Sequence, residues 1–365
     1  MPPSEAVIQR DVALAPFTTL GIGGSARAFV RAQTQADIVT AHRWSVEHGV
    51  NMFVLGGGSN LVVADEGFDG IVVQIGLRGT AFVDRGDDTL LTASAGETWD
   101  DVVAAAVERG LCGLECLSGI PGSVGGTPIQ NVGAYGQEVA DTIESVVVID
   151  RADGRIAELA AIECQFAYRM SRFKLRDAGR FIVCEVTYRL DRRTPTPTYP
   201  DVIRYLDSSK VLTPTVRDVR HAVLAIRRRK GMVLDPSDAD TRSVGSFFMN
   251  PVVPAATREY VSSIAGESAP AFQLAHSRVK LPAAWLIEHA GFHKGFVDGP
   301  AGISTKHPLA LVNRGGATAR DMLRLAKRIK QQVADRFGVC LVPEPIFVGF
   351  DRDPDVEYLR GETAG

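Results

Sequence analysis

Val54-Leu-Gly-Gly-Gly-Ser-Asn60 is the stretch on which the reading of this chain turns. A short apolar run enters three consecutive glycines and leaves through a hydroxyl and an amide. Glycine has no Cβ to hold a ligand off, so a glycine-rich turn lets backbone N–H groups gather around an oxyanion. A tight turn between two strands uses the same residues for a different reason. The flanks narrow the choice. Residues 51–55 (NMFVL) read as a strand, and the glycines are followed by LVV and by the strand-like IVVQI at 71–75. A Rossmann fingerprint opens a helix with G-x-G-x-x-G, and a P-loop needs G-x-x-x-x-G-K-[ST]. Here the glycines sit between strands and the P-loop pattern is absent. If this loop binds phosphate, it does so as a backbone cradle without a helix dipole.

A second glycine concentration follows, Leu117-Ser-Gly-Ile-Pro-Gly-Ser-Val-Gly-Gly126 and then Pro128-Ile-Gln-Asn-Val-Gly-Ala-Tyr-Gly136. A loop this long is usually functional or disordered, and its apolar and aromatic content argues against disorder. Two such loops could grip a pyrophosphate from opposite sides, as a dinucleotide requires. They could equally be unrelated surface turns, and spacing alone leaves both readings open.

The bulk numbers exclude several classes. The 365 residues are 45% hydrophobic and 23% charged, with a formal charge of −3. That is ordinary globular composition, enough for about two or three domains. The slightly acidic balance lacks the basic face that nucleic-acid binding requires. No apolar run is long enough to cross a membrane, and MPPSEAVIQRDV reads as no secretory signal. The five cysteines have no framework spacing and read as reduced, mostly buried cytosolic thiols.

Elsewhere helices and strands mix irregularly, which points to an α+β fold. Strands are expected at 25–32, 89–94, 181–190, 245–253 and 309–313, with a hairpin over 144–149 and 155–160 and a last strand through VCLVPEPIFVGF. Helices are expected at 35–48, 98–109, 216–229 and 282–290, and after the capping box of Thr318 and Asp321. The Pro/Thr-rich stretch 191–200 reads as a linker or loop, and the end of the chain as a polar tail.

Several side chains invite a chemical reading, each against a plainer one. Glu344 stands between two prolines that cannot donate ladder hydrogen bonds, so its segment is an edge or a break. A partly desolvated carboxyl there would suit a proton donor, and a solvated one would do nothing. Ser246 lies in Gly245-Ser-Phe-Phe-Met-Asn-Pro251 without a nucleophile elbow around it. It reads as a positioned donor or as a serine bonded to backbone. Arg227-Arg-Arg-Lys230 complements a helix C-terminus or forms an anion site. His289 and His293 have metal spacing, but no third ligand is evident. Arg169, in a basic stretch, reads by itself as a solvated surface arginine.

In combination the motifs are no longer anonymous. LGIGG (20–24), VLGGGSNLVV (54–63), SGIPGSVGGTPIQNVGAYGQEV (118–139), YRMSRFK (168–174), GSFFMNP (245–251), KLPAAWLIE (280–288) and VPEPIFVG (342–349) occur in this order. Together they closely resemble the MurB family, the UDP-N-acetylenolpyruvoylglucosamine reductases of peptidoglycan synthesis. The resemblance runs from about residue 14 to 350.

The resemblance implies two FAD-binding subdomains of the vanillyl-alcohol-oxidase (PCMH) type, at 1–80 and 81–214. It further implies an α+β substrate-binding domain at 215–335, and a C-terminal strand and tail at 336–365. FAD would be bound noncovalently by Gly56, Gly57, Gly58, Ser59 and Asn60, with Pro121, Gly122, Ser123, Gly125, Gly126, Asn131, Gly133, Ala134 and Tyr135. NADPH would be the hydride donor and UDP-N-acetylglucosamine enolpyruvate the acceptor. By the same resemblance Arg169 offsets developing charge, Ser246 gives the proton and Glu344 assists. Tyr199 resembles a tyrosine that one class of the family carries on a loop closing over the substrate diphosphate, and Lys230, Asn250 and Lys280 resemble substrate contacts. A cytoplasmic monomer with no metal, nucleic-acid or membrane partner is the matching expectation. The alternatives are a flavin oxidase of the same fold and a nucleotide-binding module without chemistry.

Overall fold

The computed structural model describes residues 7–361 and divides the chain into two units whose sequence ranges interleave. The first takes the chain up to Val12, 26–58 and 69–233; the second takes 13–25, 59–68 and the chain from Leu234 onward.

The first unit holds two sheets. Gln9–Ala13, Ser25–Ala32, Phe68–Ile75 and Asn51–Leu55 form one in that order, the last two strands running parallel. Helix α1, Gln35–Glu47, starts where Thr34 and Asp37 form a capping box and buries Ile38 and Ala41. The other sheet is antiparallel, in the order Ile156–Ala160, Ile143–Asp150, Phe181–Asp191, Asp88–Ser94 and Thr80–Arg85. Its strands alternate buried and open residues, the pattern of a sheet with one covered face. Helix α2, Trp99–Glu108, lays Val102, Val103 and Val107 into the same core, where Trp99 and Tyr188 are fully buried. The buried Tyr188 hydroxyl meets Thr127 Oγ1 at 2.9 Å, satisfying both groups. Helices α3, Pro200–Ser208, and α4, Val216–Arg229, pack Val202 and Leu206 against Val219, Ala222, Val223 and Ile226.

The second unit has a four-stranded sheet, Ser243–Ser246, Ala310–Asn313, Ala301–Ile303 and Val297–Asp298, and a three-stranded one, Val252–Pro254, Arg278–Lys280 and Phe272–Gln273. Ile346–Val348 pairs in parallel with Leu61–Val63. Its helices are α5, Ala255–Ala265, α6, Ala283–His289, α7, Ala319–Phe337, and α8, Pro354–Arg360. Met322, Leu325, Ile329, Val333 and Phe337 of α7 are all buried, as their helical spacing predicts.

Lys330 is the exception on that face: it is 0% exposed. Its ammonium donates to the carbonyls of Tyr358, Leu359 and Gly361, closing the C-terminal end of α8. Those are the acceptors a helix end leaves without partners, and a cation there also meets the negative end of the dipole. Lys330→Met is expected to lower unfolding stability by roughly 2–4 kcal/mol, because it leaves the buried Leu359 carbonyl and two more open ones without their donor. Lys327, whose half-buried ammonium pairs with Asp355 and closes no helix end, is the control: Lys327→Met is expected to cost about 1 kcal/mol or less. Urea midpoints of the two variants check this.

Some expected elements are corrected. The strand through VCLVPEPIFVGF shrinks to Ile346–Val348, because Pro343 and Pro345 interrupt it. GSFFMNPVV is two strands, Ser243–Ser246 and Val252–Pro254, separated around Pro251. The Pro/Thr stretch is loop through 199, with only Pro200 opening α3, and the polar tail contains α8. Among the described residues no helix is long and apolar enough to cross a membrane. The five cysteines are free, and all but Cys340 are buried. Burial pushes the Cys112, Cys116 and Cys184 thiols up to about 12, which makes them inert.

Candidate active site

The two glycine loops meet backbone to backbone in the first unit. A Cβ on Gly57 would lie 2.6 Å from the Cα of Gly122 and 2.7 Å from its carbonyl carbon. A Cβ on Gly56 would lie 2.7 Å from Ser123 Oγ. Gly58 and Gly122 have φ of +65° and +128°, where side chains are rarely tolerated. The second loop is stitched to the start of α2: Trp99 N–H donates to Gly122 O at 3.1 Å, Val124 N–H to Glu97 O at 2.9 Å and Gly125 N–H to Ala95 O at 2.9 Å. Asp100 of α2 accepts from Gly119 N–H at 2.6 Å and pairs with Arg220 of α4. Ser123 Oγ is buried with no hydrogen-bond partner among the described residues. A buried, orphaned hydroxyl between two bare backbone loops is what a site for an oxygen-rich ligand leaves behind.

The loop continues into a two-residue hairpin. Gly133–Ala134 pairs with Gln137–Glu138 around Tyr135 and Gly136, both at positive φ. Asn131 is 1% exposed, and its amide is fully engaged, donating to Glu138 and to Ala167 O and accepting from Ala140 N–H. Its side chain shapes the loop. Arg169 sits on a tight turn at φ 56°, half-buried, and its Nη2 donates to Gly133 O at 2.8 Å. The arginine is therefore tied to the glycine loop, which the sequence read in isolation did not reveal.

In the second unit the structure brings Ser246 and Glu344 together from distant parts of the sequence. Ser246 ends its strand opposite Ala310 and is half-buried. Glu344 N–H donates to Phe247 O at 2.8 Å, and Met249 N–H donates to Val342 O at 3.0 Å. Asn60 fixes the other side of the glutamate: its Nδ2 donates to Glu344 O at 3.3 Å, and Ile346 N–H donates to Asn60 O at 2.9 Å. Phe247 and Phe248 are 0% and 1% exposed, so the backbone carrying Ser246 is anchored by aromatic burial. The Ser246 hydroxyl makes no hydrogen bond among the described residues, against the plainer reading of a serine bonded to backbone. Glu344 is half-buried, in the break that its prolines predict. Asn250 Oδ1 accepts from Ala283 N–H at the start of α6, and Lys280 pairs with Val252 while its ammonium lies 5.5 Å from the Phe272 ring.

Tyr199 and Lys230 converge in the first unit. Tyr199 caps the start of α3, and its ring stands edge-on to Tyr135 at 5.2 Å. The Lys230 ammonium lies 6.0 Å from the Tyr135 ring and 3.0 Å from Asp201. Burial holds the Tyr135 phenol above its ordinary range and lowers the Arg227 guanidinium, which donates to Gly119 O and Met232 O. The run Arg227–Lys230 is thus split: one arginine turns inward and the lysine joins a carboxylate, while Arg228 and Arg229 stay exposed. Asp201 escaped the sequence reading, although a proline followed by an acidic residue marks a helix start. His289 bonds Trp285 O and Glu267. Among the described residues no cluster of three or more His, Cys, Asp or Glu side chains is placed to hold a metal.

Comparison with known proteins gives two domain matches. Residues 26–160 match an FAD binding domain, and residues 235–348 match the C-terminal domain of UDP-N-acetylenolpyruvoylglucosamine reductase. Proteins named UDP-N-acetylenolpyruvoylglucosamine reductase are 49% identical in Thermobifida fusca (93% of this chain, 98% of that protein) and 45% identical in Mycobacterium tuberculosis (94% and 96%). The crystal structure of the enzyme of that name (MurB) from Thermus caldophilus superposes with a TM-score of 0.65 at 27% identity, covering 94% of this chain and 99% of that one.

Proposed function

The chain belongs to the UDP-N-acetylenolpyruvoylglucosamine reductase family, and on that premise we infer that it reduces UDP-N-acetylglucosamine enolpyruvate to UDP-N-acetylmuramate with NADPH. It is a flavin-dependent oxidoreductase of peptidoglycan precursor synthesis. Its residues fit the cofactor, since the bare glycine backbones and the orphaned Ser123 hydroxyl suit a diphosphate. In this proposal Gly56–Asn60 and the loop from Pro121 to Tyr135 hold noncovalent FAD. When bound, FAD supplies the route by which a hydride from NADPH reaches the enolpyruvyl double bond.

The chain's own side chains handle charge and proton. Adding hydride to the terminal carbon leaves negative charge on the adjacent carbon and its carboxylate. In the proposal Arg169 offsets that charge, since a fixed guanidinium suits a carboxylate. Ser246 Oγ–H delivers the proton to the carbon, and Glu344 assists and stabilises the charged state. Tyr199, Lys230, Asn250 and Lys280 contact the nucleotide sugar. The observation that carries this reading is the hydrogen bond from Glu344 N–H to Phe247 O, which sets the carboxyl residue beside the serine's strand.

The proposal extends to the segments 1–80 and 81–214 as flavin-binding, 215–335 as substrate-binding and 336–365 as carrying Glu344. The two sheets of the first unit support the first division, each falling almost wholly within one segment. It extends also to a monomer, and to a cytoplasmic location, where both water-soluble nucleotide co-substrates are at hand.

The test is anaerobic. NADPH is expected to bleach the yellow protein, and the enolpyruvyl sugar to restore the colour without oxygen. Recovery only on admitting oxygen would instead make the protein an oxidase of the same fold, and a protein that takes up no flavin would be a binding module.

A further inference from the structure

A cavity of about 350 Å³ opens in the first unit between α3 and α4, lined by Asp201, Arg204, Tyr205, Ser208, Ile226, Arg229 and Lys230. Three of those side chains are cations and one is a carboxylate. Asp201 is shared, accepting from Lys230 at 3.0 Å and pairing with Arg204. Arg229 pairs with no carboxylate among the described residues; its guanidinium lies 5.8 Å from the Tyr205 ring. The lining therefore keeps two positive charges in excess. Asp201 offsets only one of the three cations, so an entering anion would meet an attractive field. Guanidinium groups match the geometry of phosphate oxygens, and Tyr205 and Ile226 give the pocket an apolar wall.

We propose that this pocket is a phosphate subsite in which Arg204 and Arg229 receive a phosphate group of a nucleotide ligand, with Asp201 holding Arg204 and Lys230 in place. The inference rests on the NADPH and UDP-sugar reading above, which offers two sources. One is the monoester on the adenosine ribose of the reductant, and the other is the diphosphate of the nucleotide sugar. The monoester fits better, because it concentrates close to two negative charges on one phosphate, matching the two excess cations, whereas each phosphate of the diphosphate carries one.

The experiment measures binding and flavin bleaching separately. Calorimetric titration of the purified protein uses adenosine 2′,5′-bisphosphate and UDP as probes, on the native chain and on the double variant R204Q/R229Q. Arg228→Gln, exposed and outside the pocket, is the control. The expected result is at least about tenfold weaker binding of adenosine 2′,5′-bisphosphate by the double variant, with UDP unchanged. Anaerobic bleaching by NADPH should then need at least about tenfold more reductant, while bleaching by NADH stays as in the native chain. Weakened UDP binding alone would support the subsite and assign it to the diphosphate. Unchanged binding of both probes, or equal losses with NADPH and NADH, would overturn it. A native protein that binds the bisphosphate but is bleached by neither reductant would sink the proposed function and leave the subsite standing.

Discussion

Ser246→Ala is expected to bleach with NADPH as fast as the native protein and then to reduce the enolpyruvyl sugar on the order of 10²–10⁴-fold more slowly. That range is what a positioned proton donor contributes, roughly 3–5 kcal/mol of barrier. The separation of the two halves is the informative part. Taking hydride from NADPH needs no proton from Ser246, whereas completing the addition across the double bond does. A hydroxyl is a weak acid, but the carbon it would protonate is a strong base, so transfer is feasible once the two are held together. The substitution should be gentle on the fold. Ser246 pairs through its backbone with Ala310, and among the described residues its hydroxyl makes no hydrogen bond whose loss would leave a partner stranded. A thermal midpoint within a few degrees of native is therefore expected, and a lost activity cannot be laid to unfolding. Ser246→Cys, which keeps a proton on a longer bond, should recover part of the rate. Native turnover in Ser246→Ala would remove the serine from the reaction, and slowed bleaching would move its role to cofactor or reductant binding.

How much of this was legible beforehand depended on whether the signal was local. The α4 and α7 helices are visible because their capping threonines, acidic third residues and helical apolar spacing all lie within one window. The strand at 51–55 running into glycines is visible for the same reason. Helix α3 was hidden by the prolines before it, which read as a linker or loop although Pro200 is the first helical residue. The break in GSFFMNPVV was hidden because the sheet partner, Ala310, is far away in sequence. The site shows the same split. Each of Arg169, Ser246 and Glu344 alone resembles an ordinary surface or strand residue. What distinguishes them is the bond from Arg169 to Gly133 O and the one from Glu344 N–H to Phe247 O, and neither is written in a local pattern. The motif order supplied by resemblance found these residues where spacing did not. Asp201 belongs to no such motif, and only the packing of α3 on α4 shows it beside Lys230.

The glycine cradle yields the other large effect. Gly57→Ala is expected to purify colourless, with FAD affinity lower by at least about a hundredfold, roughly 3 kcal/mol. The reason is steric and specific to this position. Carbon atoms in contact sit about 3.5–4.0 Å apart, and the new methyl would stand 2.6 Å from the Cα of Gly122. The obstacle is backbone on both sides, so no rotamer relieves it and the loops must part by about 1 Å. The second loop resists, since Gly122 O, Val124 N–H and Gly125 N–H are bonded to the segment from Ala95 to Trp99. A cradle made of N–H groups loses its ligand when its two sides move apart. Gly56→Ala should be milder, because its methyl meets the Ser123 hydroxyl at 2.7 Å while the Ser123 Cβ stays at 4.0 Å. Adding Ser123→Ala to Gly56→Ala should therefore relieve the clash, whereas adding it to Gly57→Ala should not. The ratio of flavin to protein absorbance and titration of the apoprotein with FAD read both cases, and addition of FAD should raise the thermal midpoint of Gly56→Ala more than that of Gly57→Ala. A yellow Gly57→Ala protein with native affinity would mean that the diphosphate does not lie in this cradle.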